Sequence, residues 1–470
     1  MNKQKRVLLI NPAKRDDFIV NRIHMGLTLL GQIINKDGHE VIVYDFSFLR
    51  SISDRIEIPT IAEIITDFKP DIVGISVFTY LYQESLTLIE EIAKLTDSPI
   101  ILGGPHITFF PEDFKNDKRI SYIVKGEAEG IILDLINSAT KQDLPLIINS
   151  PLPTAIEIPE INLDIAYGSQ FLQNYQIQLS RGCPYRCSFC NINLVAGRKV
   201  RARDLEICID QIKRAKSKYT NLHTITITDD CPSFNKERFK KFLKMLSEKV
   251  KLISLSIDNV RADLIDDEML KLYVAIGGKN ICLGVESGDN DVFEMVNKGE
   301  SLQRIKEAAE LIHKFKIQLG LCFVIGLPGD TMVKHRSSIL FANELQPDYI
   351  FWNMCTPWPG TKIHNWFEKN GKIEDVRNFS TLIDNSINYS EPRAWSNDFS
   401  KDERIKAWLI ANFETKSMLI TSLSLFKNLY CFPRAITLMF KYKIHISFVR
   451  YLINSFFLSK CKLLQKIFGK

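Results

Sequence analysis

Short apolar runs, many rich in valine and isoleucine, recur through the first 140 residues and alternate with stretches whose apolar positions return every three or four residues. The runs predict strands at Val7–Ile10, Val41–Tyr44, Ile72–Val77, Ile100–Leu102 and Tyr122–Val124. The longer pattern predicts helices at Met25–Asn35, Gln83–Leu95 and Ala128–Ser138. β-Branched runs separated by helical patterns indicate a doubly wound parallel sheet. Residues 141–170 contain Pro145, Pro151, Pro153 and Pro159 and read as an extended linker. From 171 to 370 the strand–helix unit returns. Strands are expected at Tyr175–Leu179, Thr224–Thr228, Leu252–Ile257, Ile281–Val285, Gln318–Ile325 and Tyr349–Asn353, with helices such as Asp263–Ala275 and Leu302–Lys316 between them. Residues 371–470 read as a helical C-terminal region.

Composition changes little in this picture. At 470 residues, with 45% hydrophobic and 25% charged positions, the chain has room for two to four domains with sizeable cores. The only early apolar run, Val7–Ile10, is too short for a signal peptide. No uncharged stretch approaches the ~20 residues of a membrane-spanning helix. Ten cysteines without a secretory signal suit a reducing cytoplasm better than disulfides.

Charge does change it. Residues 416–470 hold ten lysines and arginines and no acidic residue, against +6 for the whole chain, which leaves residues 1–415 at −4. Aromatic and aliphatic residues interleave with these charges at 420–432 and 447–457. Four readings stay open: an amphipathic surface held at anionic lipid on the inner face of a membrane, a basic lid over the barrel, an RNA contact, or helices packed on the barrel with a solvated face.

The chemistry is densest in Ser180-Arg181-Gly182-Cys183-Pro184-Tyr185-Arg186-Cys187-Ser188-Phe189-Cys190. Cys183, Cys187 and Cys190, at C-x-x-x-C-x-x-C spacing, can ligate three irons of a four-iron–four-sulfur cluster and leave the fourth open to chemistry. A structural zinc site would need a fourth ligand, with Cys208 and His223 the nearest candidates. The segment resembles the cysteine loop of the radical S-adenosylmethionine superfamily. The resemblance implies a partial (β/α)6 barrel over 171–370, with the site at the C-terminal strand ends. It also implies that the open iron chelates S-adenosylmethionine, whose cleavage yields a 5′-deoxyadenosyl radical.

Motifs at those strand ends carry the remaining cofactor contacts that the resemblance implies. The second barrel strand ends in Thr228-Asp229-Asp230, where the family often has Gly-Gly-Glu; Asp229 is the carboxylate expected at the cofactor amine, with capping of the next helix as the alternative. Glu286 and Ser287, in Gly284-Val285-Glu286-Ser287-Gly288, are expected at the ribose or methionine moiety, unless Glu286 is a structural carboxylate. Arg261 is expected at the cofactor carboxylate or, equally, in an ion pair. Ile325 and Gly326, in Phe323-Val324-Ile325-Gly326-Leu327-Pro328-Gly329-Asp330, are expected at adenine, since glycine lets backbone approach a flat ring. Phe189 adds an apolar face.

The first 140 residues resemble a cobalamin-binding domain of Rossmann-like or flavodoxin-like type. Ser76 follows Ile72-Val73-Gly74-Ile75, Gly103 and Gly104 follow the next strand, and Gly126-Glu127-Ala128-Glu129 follows the fifth. Small residues at adjacent strand ends admit a bulky ligand tail at a sheet's switch point. His106 is expected to line the groove for that tail, and Gly126 and Glu127 to join the cobalamin site. The Asp-x-His-x-x-Gly loop that supplies a cobalt ligand elsewhere is absent: the chain reads Asn11-Pro12-Ala13-Lys14-Arg15-Asp16. A nucleotide-binding Rossmann fold is the alternative, against which stands the lack of G-x-G-x-x-G after the first strand.

Together the two resemblances cover roughly residues 5–370 and imply a cobalamin-dependent radical S-adenosylmethionine methylase. Such an enzyme methylates an unactivated carbon of a small-molecule or lipid-like substrate and draws electrons from a flavodoxin- or ferredoxin-type donor. Cyclisation or rearrangement without methyl transfer is the enzymatic alternative. A non-catalytic metal-binding module docked on membrane or RNA is the other. RNA methylthiolation is disfavoured, because no cysteine precedes Cys183 to hold a second cluster.

Overall fold

The computed structural model describes residues 3–13, 21–154, 163–250, 254–375, 377, 391–416 and 440–441. Chain contacts gather into two compact units. One comprises Met1–Pro184, Ile192–Asp258 and Arg377–Ile383, the other Tyr185–Asn191, Asn259–Val376 and Asp384–Lys470. None of the five boundaries between them falls within the 141–170 stretch expected as a linker.

The first unit contains a six-stranded parallel sheet of β1 (Arg6–Asn11), β2 (Glu40–Asp45), β3 (Ile72–Ser76), β4 (Ile100–Gly103), β5 (Tyr122–Lys125) and β6 (Leu146–Asn149), in the order β2-β1-β3-β4-β5-β6. Val7–Ile10 pairs with Val41–Tyr44 on one side and with Ile72–Ile75 on the other. The chain leaves β1 toward β2 and returns on the far side as β3, so the switch point lies at β1/β3. Every residue of β3 is buried, as expected of a parallel strand covered on both faces.

Three local readings differ. β6 lies inside the expected linker: Pro145 and Pro151 bound it, and it is an edge strand with exposed Leu146 and Ile147, so it needs only one partner. A helix at Ile61–Phe68, started by a Thr60–Glu63 capping box, escapes the periodicity because it has only eight residues. The helix expected from Ala128 begins at Ile132, because Gly126 turns with φ +86° and residues 127–131 form a loop.

The same unit carries β7 (Asn174–Ile177), the short ribbon of β8 (Ser180–Arg181) and β9 (Arg201–Ala202), then β10 (Thr224–Ile227) and β11 (Ser254–Ile257). β11, β10 and β7 form a parallel sheet in that order, while β8 and β9 pair antiparallel. Residues 251–253, where the third expected barrel strand begins, lie outside the described residues.

The second unit holds the parallel sheet β12 (Asn280–Glu286), β13 (Gln318–Ile325) and β14 (Tyr349–Met354), and the antiparallel pair β15 (Gly371–Ile373) and β16 (Ala394–Ser396). All six expected barrel strands are therefore present. The helix Lys401–Glu414 buries Arg404, Ala407, Trp408 and Ala411. Trp408 Nε1–H donates to Trp352 O at 3.1 Å, and Trp352 stacks on Phe323 at 4.5 Å, which ties this part of the C-terminal region to β13 and β14. The amphipathic stretches at 420–432 and 447–457 lie outside the described residues. No helix among the described residues is long and apolar enough to cross a membrane.

Candidate functional site

The cysteine segment is an excursion between β8 and β9. It leaves β8 through Gly182, at φ +95°, where a Cβ would lie 2.7 Å from Lys199 O; only glycine makes this turn without strain. Gly182 N–H donates to Asp230 Oδ2 at 2.7 Å, and Cys183 N–H to Gly197 O at 3.2 Å. The three thiols are partly exposed and none is in a disulfide.

Tyr185–Asn191, the arm carrying Cys187 and Cys190, is part of the second unit. Ser188 N–H donates to Val296 O at 2.8 Å, Ile363 N–H to Ser188 O at 3.2 Å, and Asn297 Nδ2–H to Arg186 O at 3.2 Å. The Tyr185 ring lies 3.5 Å beneath the Arg261 guanidinium, and its hydroxyl donates to Asp263 Oδ2 at 3.2 Å. Phe189 packs on the apolar cluster of Val296, Leu327, Ile363 and Phe367. Cys190 N–H donates to Cys187 O at 3.3 Å and closes a turn. Burial pushes the Cys187 thiol up to about 11, opposed by the charges of Lys298 and Arg261. A bound metal deprotonates such a thiol outright.

Among the described residues no three His, Cys, Asp or Glu side chains gather as ligands of one metal ion do. A four-iron cluster gives each cysteine its own iron, so soft thiolates spread along one loop fit it without that convergence. The completing ligands of a zinc site are placed otherwise. Cys208 is wholly buried, and His223 Nδ1 lies 2.9 Å from Thr224 Oγ1.

The expected residues at the strand ends are buried and have partners inside the protein. Glu286 stands at φ +69° beyond a register shift in β12, a conformation that costs a non-glycine residue ~1–3 kcal/mol and collects at functional sites. Its Oε1 lies 3.1 Å from Lys298 Nζ, which also reaches Glu300 at 3.4 Å and donates to Gly284 O. Lys298 gave no sequence signal, because a lone lysine after a helix is ordinarily solvated. Ser287 is buried, its Oγ 3.3 Å from Ser338 Oγ and accepting from Asp289 N–H at 3.2 Å.

Four of the residues expected at cofactor contacts in the barrel are buried or have internal partners. Asp229 is buried and accepts from Leu179 N–H at 2.6 Å and Ser180 Oγ–H at 2.5 Å, which pins the β7–β8 connection. Burial pushes its carboxyl up to about 6, against those two hydrogen bonds. Arg261 follows the ion-paired alternative: it donates to Asp263 Oδ2 at 3.0 Å and to Lys298 O at 2.9 Å. Ile325 is wholly buried and offers no side-chain surface to adenine. Gly326 turns at φ +81°, but the space where a Cβ would stand is taken by Arg404, whose Nη1–H donates to Gly326 O at 2.7 Å.

Small residues gather at the strand ends of the first unit's six-stranded sheet. Ser76, Gly103, Gly104 and Gly126 stand at the C-terminal ends of β3, β4 and β5. A Cβ on Gly104 would lie 2.9 Å from Val77 backbone atoms, whereas one on Gly103 would meet nothing closer than Val124 O at 4.0 Å. His24, which the sequence did not single out as a site residue, caps the helix Met25–Lys36 at the β1/β3 switch point. Its Nδ1 accepts from Leu27 N–H at 3.1 Å, so the neutral ring carries its proton on Nε2, 3.3 Å from Ser76 Oγ. Two further expected residues, His106 and Glu127, are buried with partners inside the first unit. His106 is wholly buried among Tyr82, Phe110 and Phe114, near Thr79 Oγ1 at 3.3 Å and Asp113 at 3.3 Å, and lines no groove. Glu127 is buried against Arg181 and Arg201.

Residues 22–136 match the B12 binding domain and residues 177–341 match the Radical SAM superfamily. The uncharacterized methyltransferase PH0819 of Pyrococcus horikoshii is 26% identical over 76% of this chain and 82% of its own length. The anaerobic magnesium-protoporphyrin IX monomethyl ester cyclase of Cereibacter sphaeroides is 26% identical over 72% of this chain, which spans 60% of the cyclase. Among solved structures, the cobalamin-dependent S-adenosylmethionine radical enzyme OxsB, with aqua-cobalamin and S-adenosylmethionine bound, aligns over 99% of this chain and 74% of its own. Its TM-score is 0.67 at 16% identity, a likeness of fold.

Proposed function

Because the chain belongs to the cobalamin-binding radical S-adenosylmethionine enzymes, we propose that it is a methyltransferase acting on an unactivated carbon of a small-molecule or lipid-like substrate. The observation that carries the reading is a three-thiol segment, short of a fourth ligand, in the same chain as a B12 binding domain. Residues 1–140 form the cobalamin part in this reading and residues 171–370 the radical part.

When bound, the iron–sulfur cluster supplies an electron and an open iron to S-adenosylmethionine, and cobalamin supplies a methyl carrier. The protein's own share is placement. Cys183, Cys187 and Cys190 would hold three of the cluster's irons. Asn297, Val296 and Tyr185 fix the arm bearing two of those thiols. Glu286 and Ser287, held at a strand end by Lys298 and Ser338, would stand on the ribose or methionine side. Ser76, Gly103, Gly104 and Gly126 leave room for the corrinoid tail, and His24, its Nδ1 already an acceptor, orients Ser76 rather than ligating metal. Three thiolates suit a reducing compartment, so the reading places the enzyme in the cytoplasm with a flavodoxin- or ferredoxin-type reductant. The basic stretch 416–470 supports peripheral contact with anionic lipid.

The test is product analysis. Protein purified anaerobically and loaded with iron, sulfide and cobalamin is given S-adenosylmethionine and a strong reductant, and the mixture is read by mass spectrometry. Formation of both 5′-deoxyadenosine and S-adenosylhomocysteine, only with cobalamin present, is expected. 5′-Deoxyadenosine alone would favour the cyclase-like reading, which the similarity to a protoporphyrin cyclase supports. Neither product, from protein holding its cluster, would overturn the enzymatic assignment.

A further inference from the structure

Two arginines face each other at the foot of the cysteine segment: Arg181 of β8 is registered opposite Arg201 of β9. Their side chains are 13% and 4% exposed. Like charges directly opposed destabilise a strand pair, and burial makes an uncompensated charge costlier still. Both guanidiniums turn to one carboxylate. Arg201 binds Glu127 at two points, Nη1–Oε2 at 2.7 Å and Nη2–Oε1 at 2.5 Å, and Arg181 Nη1 reaches Glu127 Oε2 at 2.8 Å. Glu129 adds a second carboxylate to Arg181 at 2.5 Å.

The stretch between the two arginines, residues 182–200, is the excursion that carries Cys183, Cys187 and Cys190. A ribbon of two residues per strand has too few hydrogen bonds to stand alone. Glu127 closes it from outside. It follows Gly126 at the end of β5, where Gly126 N–H donates to Thr108 Oγ1 at 3.2 Å. It thus belongs to the stretch matched as B12 binding, while both arginines belong to the stretch matched as Radical SAM.

We propose that Glu127 is a positioning residue for the iron–sulfur cluster: one buried carboxylate from the cobalamin part joins Arg181 to Arg201 and so sets the two ends of the cysteine segment. The inference rests on the cluster reading given above. It assigns Glu127 no contact with cobalamin, and it makes cluster retention depend on a residue some fifty positions upstream of the thiols.

Glu127→Gln tests it, because the amide keeps the shape and removes the charge. After anaerobic reconstitution, iron and sulfide content are expected to fall about tenfold or more, as when a group orienting a metal ligand is lost. The EPR signal of the reduced cluster, and its change on adding S-adenosylmethionine, should fall in proportion. Hydroxocobalamin affinity, titrated by absorbance, should stay unchanged. The double variant Glu127→Gln/Arg201→Met removes the arginine left without a carboxylate, since Arg181 keeps Glu129, and should recover most of the cluster, a rescue that general loss of packing would not produce. A Glu127→Gln protein with wild-type iron content and wild-type EPR response overturns the inference, and so does a double variant no better than the single one. If the single variant does not fold, the double variant decides: cluster uptake near wild type supports the role, and absence of uptake in a folded double variant overturns it. Wild-type protein that takes up no iron would instead overturn the cluster reading on which the inference stands.

Discussion

Asp229 brings a carboxylate into a place where two donors, Leu179 N–H and Ser180 Oγ–H, are its hydrogen-bond partners. Burial raises its pKa from 3.8 to about 6, so the folded state holds a proton that the unfolded chain has already released. The contribution to stability is therefore full below 3.8 and is lost as pH rises through about 6. Asp229→Asn should flatten this part of the stability–pH profile by ~3 kcal/mol, read from urea unfolding at pH values on both sides of that window. A profile as steep as wild type would count against the assignment. The cysteines make a different prediction: replacing any one of Cys183, Cys187 or Cys190 by Ala should abolish 5′-deoxyadenosine formation while cobalamin still binds. Retained cleavage in all three variants would sink the cluster. At this scale the thiols were legible because ligand spacing is a property of adjacent residues. Lys298 and Arg404 were not, because nothing local marks a charged side chain that ends up buried.

Elements show how a strand end is held open or closed. β12 ends in a register shift and a left-handed Glu286, and Lys298 compensates the carboxylate there. Lys298→Met would leave Glu286 buried without its cation, Glu300 keeping Arg261, and should destabilise the protein by ~3–5 kcal/mol in denaturant unfolding. Lys298→Arg should recover part of that loss. β13 ends in Gly326, whose missing side chain makes room for the Arg404 guanidinium. Gly326→Ala must adopt φ +81° and displace that guanidinium, so a loss of at least ~2 kcal/mol is expected in the same measurement. A variant as stable as wild type would show that Arg404 has another place to go. Most strands and long helices were legible from apolar periodicity. β6 was hidden by its flanking prolines, and the helix Ile61–Phe68 by its shortness.

Across the whole molecule, charge is segregated along the chain: +10 in residues 416–470 against −4 in the rest. If the tail meets anionic lipid, the full chain should co-sediment with phosphatidylserine vesicles at low salt, release as salt screens the attraction, and ignore neutral vesicles. A chain ending at 416 should not sediment. Equal sedimentation of both chains would remove the tail from the argument. By itself the sequence determined the strand–helix alternation, the three-thiol segment and the pairing of a corrinoid-type sheet with a radical-type barrel, because periodicity and ligand spacing are short-range properties of a chain. Only the tertiary structure decided which charged and polar groups are occupied by one another. It set Glu127 against Arg181 and Arg201, drew Arg261 onto Tyr185 and Asp263, and placed His106 among aromatic rings. The reason is distance: these partners are set by how separate stretches of chain fold against one another, and no local pattern in the sequence records that.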